Sequence, residues 1–533
     1  MIANSIQHFW SKVLFQELSN FGVSCICIAP GSRSTCLVKA VSENNSFSVV
    51  THYDERSLGF FALGVAKASG KPVAVITTSG SAVANLIPSS VEALNLQIPL
   101  IFITADRPQE LQNCGANQTL NQCAVFSGAC AHQLDVSAPS QNSSALNTFV
   151  LNIRHAMQVC LKDGPIHVNM SFREPFFDKQ ASFSNLYAGI PAFSKLQKEK
   201  NNSQKLDLIC NQLQSKKVLC IAAATKSSVN QDYVFNWAKK YNIPILCEST
   251  SSLTSYSDKV LHYPDTIIEE LIKRNQLPDT LICIGAKWIS KNIAKLIQKV
   301  NKGVLIHDFN ATQDWIKTHL HEFINIDLSG QNYLPCILSD PSYTTQLKQL
   351  QQELTTDKYI SDPKHHYMVA LSKILGQYNV IFVGNSLAVR HINSMFKPLS
   401  PMTIFTQRGL SGIDGLISTG AGIAFYSKKR TAIVIGDTSF LYDLNGLYFL
   451  TKQLATVDIF ILNNNGGRIF ESLPIKNDPI LNDFFVMPHE LTFESISSQF
   501  KCGYISVNSL DELKSVSLKD TKKSQIIEIN LHQ

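Results

Sequence analysis

Residues 431–437 read TAIVIGD and residues 457–463 read VDIFILN. Each is a short apolar run rich in β-branched and aromatic side chains, and each predicts a strand buried on both faces. Between them Leu441, Leu444, Leu447, Leu450 and Leu454 recur at helical spacing, so SFLYDLNGLYFLTKQL predicts one helix. A strand–helix–strand unit closes with a right-handed crossover. The two strands are then parallel, and both carboxyl ends reach one edge of the sheet. Open α/β sheets take their ligands at that edge.

At that edge the first strand runs into Gly436-Asp437 and the second into a polar knot, NNNGG at 463–467. Asn and Gly tolerate positive φ, so the knot reads as a turn. A carboxylate, an amide oxygen and a carbonyl near Gly466 also suit a hard divalent cation, because Mg²⁺ takes oxygen ligands and shares them with diphosphate. A helix opening near Ser439 would point N–H groups at the same place. Asp437, Asn464 and Gly466 are the expected cation ligands. No GxxxxGK[ST] occurs, so the knot is not a P-loop.

The same pattern recurs along the chain. Runs at 23–29, 47–52, 72–78, 98–104 and 165–170 read as strands of a first α/β stretch. KVLCIAAA, IPILCE, TLICIGA and GVLIHD belong to a second; NVIFVGNS, MTIFTQ, TAIVIGD, VDIFILN and IIEINL belong to a third. Residues 186–205 and 340–362 are polar and read as linkers, the second with some helix. The expected architecture is α/β, with three doubly wound parallel-sheet domains at 1–185, 200–345 and 360–533.

Composition excludes several classes. No apolar run reaches ~18 residues, so no integral membrane association is expected. The net charge of +6 carries no basic run longer than Lys428-Lys429-Arg430, which argues against nucleic acid. The N-terminal MIANSIQHFWSKVLFQEL is an amphipathic helix pattern without a signal-peptide core. The 13 cysteines show no CxxC, and buried thiols in a reducing cytosol is the plain reading. Arg33, Arg56, Arg107, Arg390 and Arg408 fall just beyond predicted strands, where Arg suits forked recognition of carboxylates. A structural carboxylate is the expected partner for Arg56.

GD followed by NN at this interval resembles the thiamine-diphosphate motif of the pyruvate decarboxylase and acetohydroxyacid synthase superfamily. The resemblance implies thiamine diphosphate held through Mg²⁺ (or Mn²⁺), with Asp437, Asn464 and Gly466 as metal ligands and Asn385 and Ser439 beside the cofactor. It also implies a homodimer, or a dimer of dimers, with each cofactor between the first domain of one subunit and the third of another. Thiamine chemistry needs a carboxylate at the pyrimidine ring. YDERS at 53–57 places Glu55 at a strand's carboxyl end, where it also serves as a helix-start carboxylate. Ile413 in RGLSGIDG is implied as the residue that bends the cofactor.

Further stretches resemble one branch, the menaquinone-pathway synthase family that makes succinyl-enolpyruvyl-hydroxycyclohexene-carboxylate. They are APGSRST (29–35), DERSLGFFALGVAKASGKPVAVITTSGSAVANL (54–86), TADRP (104–108), CGANQT (114–119), GNS…R (384–390), RGLSGIDGLIST (408–419), GDTSFLYDLNGL (436–447) and NNNGGRIFESLP (463–474). The implied enzyme is a carboligase-type transferase in the cytoplasm. It decarboxylates 2-oxoglutarate and adds the resulting carbanion to isochorismate in a Stetter-like 1,4-addition. The resemblance places Ser32, Arg33, Arg107, Asn117, Gln118 and Lys291 toward isochorismate. Ser386, Arg390 and Arg408 fall at the succinyl carboxylate or the reacting centre, and Ile469, Phe470 and Leu473 form the wall. The sequence departs from the family pattern at Cys36, Ser81, Asn292 and Arg468, the last expected to add charge near the entrance. Two rivals stand beside this reading: a pyruvate-using carboligase, which needs fewer arginines, and a non-catalytic ligand-binding relic.

Overall fold

The computed structural model describes residues 2–177, 181–187, 193, 217–225, 230–255, 259–300, 302–307, 322–325, 334, 337–354, 363–398, 401–517 and 523–531. The chain divides into two compact units. The first comprises 1–198, 414–428 and 442–455; the second comprises 199–413, 429–441 and 456–533.

The first unit is built on a six-stranded parallel sheet. Its strands run in the order Ser48–Thr51, Cys25–Ile28, Val73–Thr77, Leu100–Asp106, Ile166–Ser171, His132–Val136. The central strands are buried along their whole length, as continuous β-branched runs require when helices cover both faces. Ser5 caps the N-terminal helix Ile6–Asn20 by accepting from the His8 N–H. Helix Glu55–Ser69 packs on helix Leu416–Ser427. Two glycines make that approach possible. A Cβ on Gly64 would lie 2.1 Å from the Thr419 carbonyl, and one on Gly422 2.1 Å from the Phe61 carbonyl.

The second unit holds two more parallel sheets. One has five strands in the order Ile245–Cys247, Val218–Ala222, Thr280–Ile284, Lys302–His307, Glu322–Asn325. The other has six, Thr403–Thr406, Val380–Val383, Thr431–Gly436, Val457–Asn463, Gln525–Asn530, Gly503–Val507. The six-stranded sheets of the two units share one wiring: second strand, first, third, fourth, sixth, fifth. The expected parallel α/β class is the observed one.

Among the described residues, the sequence reading missed the two-residue strands Ile2–Ala3 and Ala181–Ser182 and three strands of the parallel sheets, His132–Val136, Glu322–Asn325 and Gly503–Val507. The last three are informative. Each lies at the edge of its sheet, where a strand needs no apolar run on both faces. The helix expected within 340–362 is Pro341–Leu354, which buries Tyr343, Leu347, Leu350 and Leu354, while 355–362 lie outside the described residues. Most of 186–205 lies outside the described residues.

The single helix expected after Gly436 is instead three short pieces, Asp437–Tyr442, the 3₁₀ turn Leu444–Leu447 and Tyr448–Thr451. It opens at Asp437, two residues before Ser439. The break at Asp443 has a reason. Its buried carboxylate accepts the Ser418 N–H at 2.7 Å and the Ser418 hydroxyl at 3.1 Å, which turns it away from a regular helical path. Two residues on, Asn445 donates to the Asp54 carboxylate at 2.6 Å.

Candidate active site

Parallel register brings Gly436 opposite Leu462, so the two strand ends meet at one edge. Asp437 is buried there. Its Oδ1 accepts the Thr438 N–H at 2.8 Å and its Oδ2 accepts the Gly466 N–H at 2.7 Å. The three asparagines of the knot divide the work. Asn463 donates to the buried Glu528 carboxylate at 2.7 Å and accepts the Asn465 N–H at 3.0 Å. Asn465 takes the left-handed backbone, and its Oδ1 accepts the N–H groups of His489 at 2.9 Å and Glu490 at 3.0 Å. Its amide donates to Glu490 at 2.7 Å. The middle residue, Asn464, lines a cavity with Asp437, Ser439, Gly466 and Gly467, and its side chain has no hydrogen-bond partner among the described residues. Gly466 sits at φ +112°, and a Cβ there would meet the Val486 carbonyl at 2.2 Å.

Asn385, Ser386 and Ile469 line the same cavity. Asn385 is buried, and its amide donates to the carbonyls of Gln407 at 2.6 Å and Gly412 at 2.7 Å, which shapes the loop leading to Ile413. Its Oδ1 accepts from Arg408 at 3.2 Å. Ser386 holds a positive φ of 65° at the start of helix Leu387–Met395. A non-glycine residue there stores strain that the surroundings must enforce. Arg390, one turn on, donates to the Ser386 carbonyl at 2.6 Å. Phe470 is half-buried and Leu473 is 38% exposed in short 3₁₀ turns beyond the knot.

In the first unit Glu55 opens its helix, half-buried, with Asp54 as the capping side chain. A cavity of about 610 Å³ lies at this edge of the sheet, lined in part by Pro30, Gly31, Thr51, His52, Tyr53 and Tyr448. Arg107 is buried and bonded to the Ser79 hydroxyl, to the Gln118 carbonyl at 3.0 Å and to Gln118 Oε1 at 3.2 Å. Burial, and then the neighbouring Arg33 guanidinium, lower its pKa from the ordinary value. Arg33 is itself paired with Glu174 at 2.9 Å and donates to the Phe172 carbonyl at 3.1 Å. Ser32 and Asn117 are exposed.

Residues 10–125 match the model of the thiamine pyrophosphate enzyme N-terminal TPP binding domain. Over 96% of its length the chain is 34% identical to the 2-succinyl-5-enolpyruvyl-6-hydroxy-3-cyclohexene-1-carboxylate synthase of Psychromonas ingrahamii, covering 90% of that protein. It is 32% identical to the synthase of Aliivibrio fischeri over 98% of this chain and 95% of the relative. For the Histophilus somni synthase the identity is 34%, over 100% and 96%. The chain belongs to the 2-succinyl-5-enolpyruvyl-6-hydroxy-3-cyclohexene-1-carboxylate synthase family.

Three positions set apart in the sequence find defined partners. Arg56 donates to the Tyr442 carbonyl at 2.9 Å and lies over the Tyr442 ring; among the described residues it forms no carboxylate ion pair, but its charge acts on the nearby Asp54 and Asp443 carboxylates. Arg468 lines the same cavity as Asp437 and Asn464. It donates to the Asn464 carbonyl and pairs with Glu471 at 2.6 Å, so its charge there is partly offset and it braces the knot. Asn292 is tied to the Asp265 carbonyl at 3.3 Å, beside an exposed Lys291. Sequence reasoning missed His489, whose Nε2 lies 3.1 Å from Asp437 Oδ2. A single His after an irregular loop gives no spacing signal. It also missed Glu248, a buried carboxylate on the central sheet.

The residues fit a cation–diphosphate group. Asp437 offers carboxylate lone pairs beyond its N–H contacts, and Asn464 offers an uncommitted amide. No cluster of three or more His, Cys, Asp or Glu suited to a metal occurs among the described residues. No helix among the described residues is long and apolar enough to cross a membrane.

Proposed function

We propose that the chain is a thiamine-diphosphate-dependent carboligase of the transferase class that consumes 2-oxoglutarate and isochorismate, releases CO₂ and forms 2-succinyl-5-enolpyruvyl-6-hydroxy-3-cyclohexene-1-carboxylate. The observation that carries the reading is the convergence of Asp437, Asn464 and Gly466 on one cavity with Asn385, Ser386 and Ile469. When bound, the cofactor supplies a nucleophilic carbon and an electron sink.

The side chains of this protein do the rest. Asp437 and Asn464, with the Gly466 carbonyl, hold Mg²⁺ or Mn²⁺ and through it the diphosphate. Ser439 lies beside them. Glu55 would hold and release a proton at its carboxylate beside the pyrimidine ring, and Ile413 would pack against the cofactor. Arg390, Arg408 and Ser386 hold the donor carboxylates. Ser32, Arg33, Arg107, Asn117, Gln118 and Lys291 hold isochorismate, with Ile469, Phe470 and Leu473 as the apolar wall that excludes water. Arg107 and Gln118 are already locked to each other, which presents a guanidinium in one orientation. The working form is a homodimer, or a dimer of dimers, with domains near 1–185, 200–345 and 360–533, acting in the cytoplasm.

The test is a calorimetric titration of thiamine diphosphate with and without Mg²⁺ on wild type and Asp437→Ala. Loss of cofactor affinity in the variant supports the assignment. Wild-type affinity in the variant removes it.

A further inference from the structure

The central sheet carries a buried polar network centred on Glu248. Glu248 ends the strand Ile245–Cys247 and is fully buried. Its own N–H donates to the Ala222 carbonyl at 2.8 Å, which fixes its backbone. Its carboxylate grips two consecutive backbone N–H groups. Oε1 accepts from Ile289 at 3.0 Å and Ser290 at 2.7 Å, and Oε2 accepts from Ile289 at 2.9 Å.

The gripped segment faces Arg408 on one side and ends at Lys291 on the other. The carbonyl of Trp288 accepts from Arg408 Nη2 at 3.4 Å. Lys291 follows as the exposed N-cap of helix Asn292–Ile297. The network also reaches the helix that carries Arg390. The Ser290 hydroxyl donates to Asp265, and Asn393 donates to the other Asp265 oxygen at 3.2 Å. Asn393 in turn accepts the Ser249 N–H at 3.0 Å. A buried carboxylate is costly, and an apolar residue would fill the same space without that cost.

We propose that Glu248 is a positioning residue that holds the Trp288–Lys291 segment in place and so sets the placement of Arg408 and Lys291 for the anionic substrates. This rests on the reading of those two cations as substrate-binding groups. Burial pushes the Glu248 carboxyl up to about 7, the Ser290 and Ile289 N–H groups oppose that rise, Asp265 adds to it, and Arg408 opposes it most weakly. The charged groups that face Glu248 are thus Asp265 and Arg408; the adjacent Cys247 thiol is raised by burial above all, and by Glu248 most weakly. The two N–H bonds outweigh the field of Arg408, so protonation loosens the grip. Substrate KM should therefore rise as pH falls below about 7.

Steady-state kinetics of the thiamine-diphosphate- and Mg²⁺-loaded enzyme between pH 6 and 9 test this. Glu248→Gln keeps the volume and one acceptor. It is expected to raise KM for both substrates about tenfold with a smaller change in kcat, and to lose the rise in KM at low pH. Calorimetric cofactor affinity should stay as in wild type. Asp265→Asn, which removes the like charge, should move the KM rise to lower pH. The proposal is overturned by wild-type KM values and an unchanged profile in Glu248→Gln, or by an unmoved profile in Asp265→Asn. Arg408→Ala is measured in parallel. If it alters KM while Glu248→Gln does not, only the role of Glu248 falls. If Arg408→Ala leaves both KM values unchanged, the reading of Arg408 falls, and the role of Glu248 falls with it.

Discussion

His489 Nε2 lies 3.1 Å from Asp437 Oδ2, while His489 Nδ1 accepts the Leu491 N–H at 3.0 Å. The second contact fixes the tautomer. Nδ1 is the acceptor, so Nε2 carries the proton and donates to the carboxylate. The segment that carries His489 is itself pinned by Asn465 Oδ1. The knot after the fourth strand thus orients the carboxylate from the third. Partners that orient a ligand in this way are typically worth 10- to 100-fold in metal affinity. His489→Ala should weaken Mg²⁺-dependent binding of thiamine diphosphate by about that factor, measured by calorimetry. Unchanged affinity would assign His489 to packing alone.

Glu55 is predicted to act on the pyrimidine ring. Glu55→Gln preserves size and removes the proton acceptor, so C2-proton exchange of bound cofactor, followed by NMR, should fall by orders of magnitude while cofactor still binds. Exchange at the wild-type rate would leave Glu55 as a helix-start carboxylate.

The crossing of Glu55–Ser69 on Leu416–Ser427 depends on reciprocal glycines. Gly422→Ala places a methyl 2.1 Å from the Phe61 carbonyl, a backbone atom that cannot rotate away. A loss of at least about 2 kcal/mol is expected from such overpacking. A denaturant midpoint within error of wild type would contradict the crossing.

Much of this was legible in the sequence, and the exceptions follow one rule. Strands buried on both faces announce themselves, as Val73–Thr77 and Val457–Asn463 do. Edge strands such as Gly503–Val507 carry a mixed pattern and do not. Leucines at helical spacing predicted one helix after Gly436. The pattern holds apolar positions but says nothing of Asp443, whose bonds to Ser418 across the fold break the helix. Asp437 and Asn464 were readable because the crossover rule makes their strands parallel. His489 and Glu248 were not, because each acts on a group distant in sequence, His489 on the Asp437 carboxylate and Glu248 on the Ile289 and Ser290 N–H groups.

Asp443 also gives a pH signature. Burial pushes its carboxyl up to about 6 from 3.8, with the Ser418 contacts opposing. A carboxyl raised on folding binds its proton more tightly in the folded state. Stability is therefore lost as pH rises from about 4 to 6, and the loss is complete above that window. Asp443→Asn does not titrate. The stability difference between variant and wild type should shift toward the variant by about 2–3 kcal/mol between pH 4 and 7. A pH-independent difference in urea midpoints would contradict the assignment.

The central claim is a donor with a distal carboxylate, held by arginine and decarboxylated on thiamine diphosphate. The most direct measurement is CO₂ release from 2-oxoglutarate and from pyruvate, each with and without isochorismate, in the presence of thiamine diphosphate and Mg²⁺. One charge-assisted contact is worth about 1.5–3 kcal/mol, so 2-oxoglutarate should be favoured by about 10- to 150-fold in kcat/KM. Isochorismate should raise turnover of 2-oxoglutarate and leave pyruvate slow. Equal use of the two acids, or indifference to isochorismate, would contradict the account and favour a pyruvate carboligase.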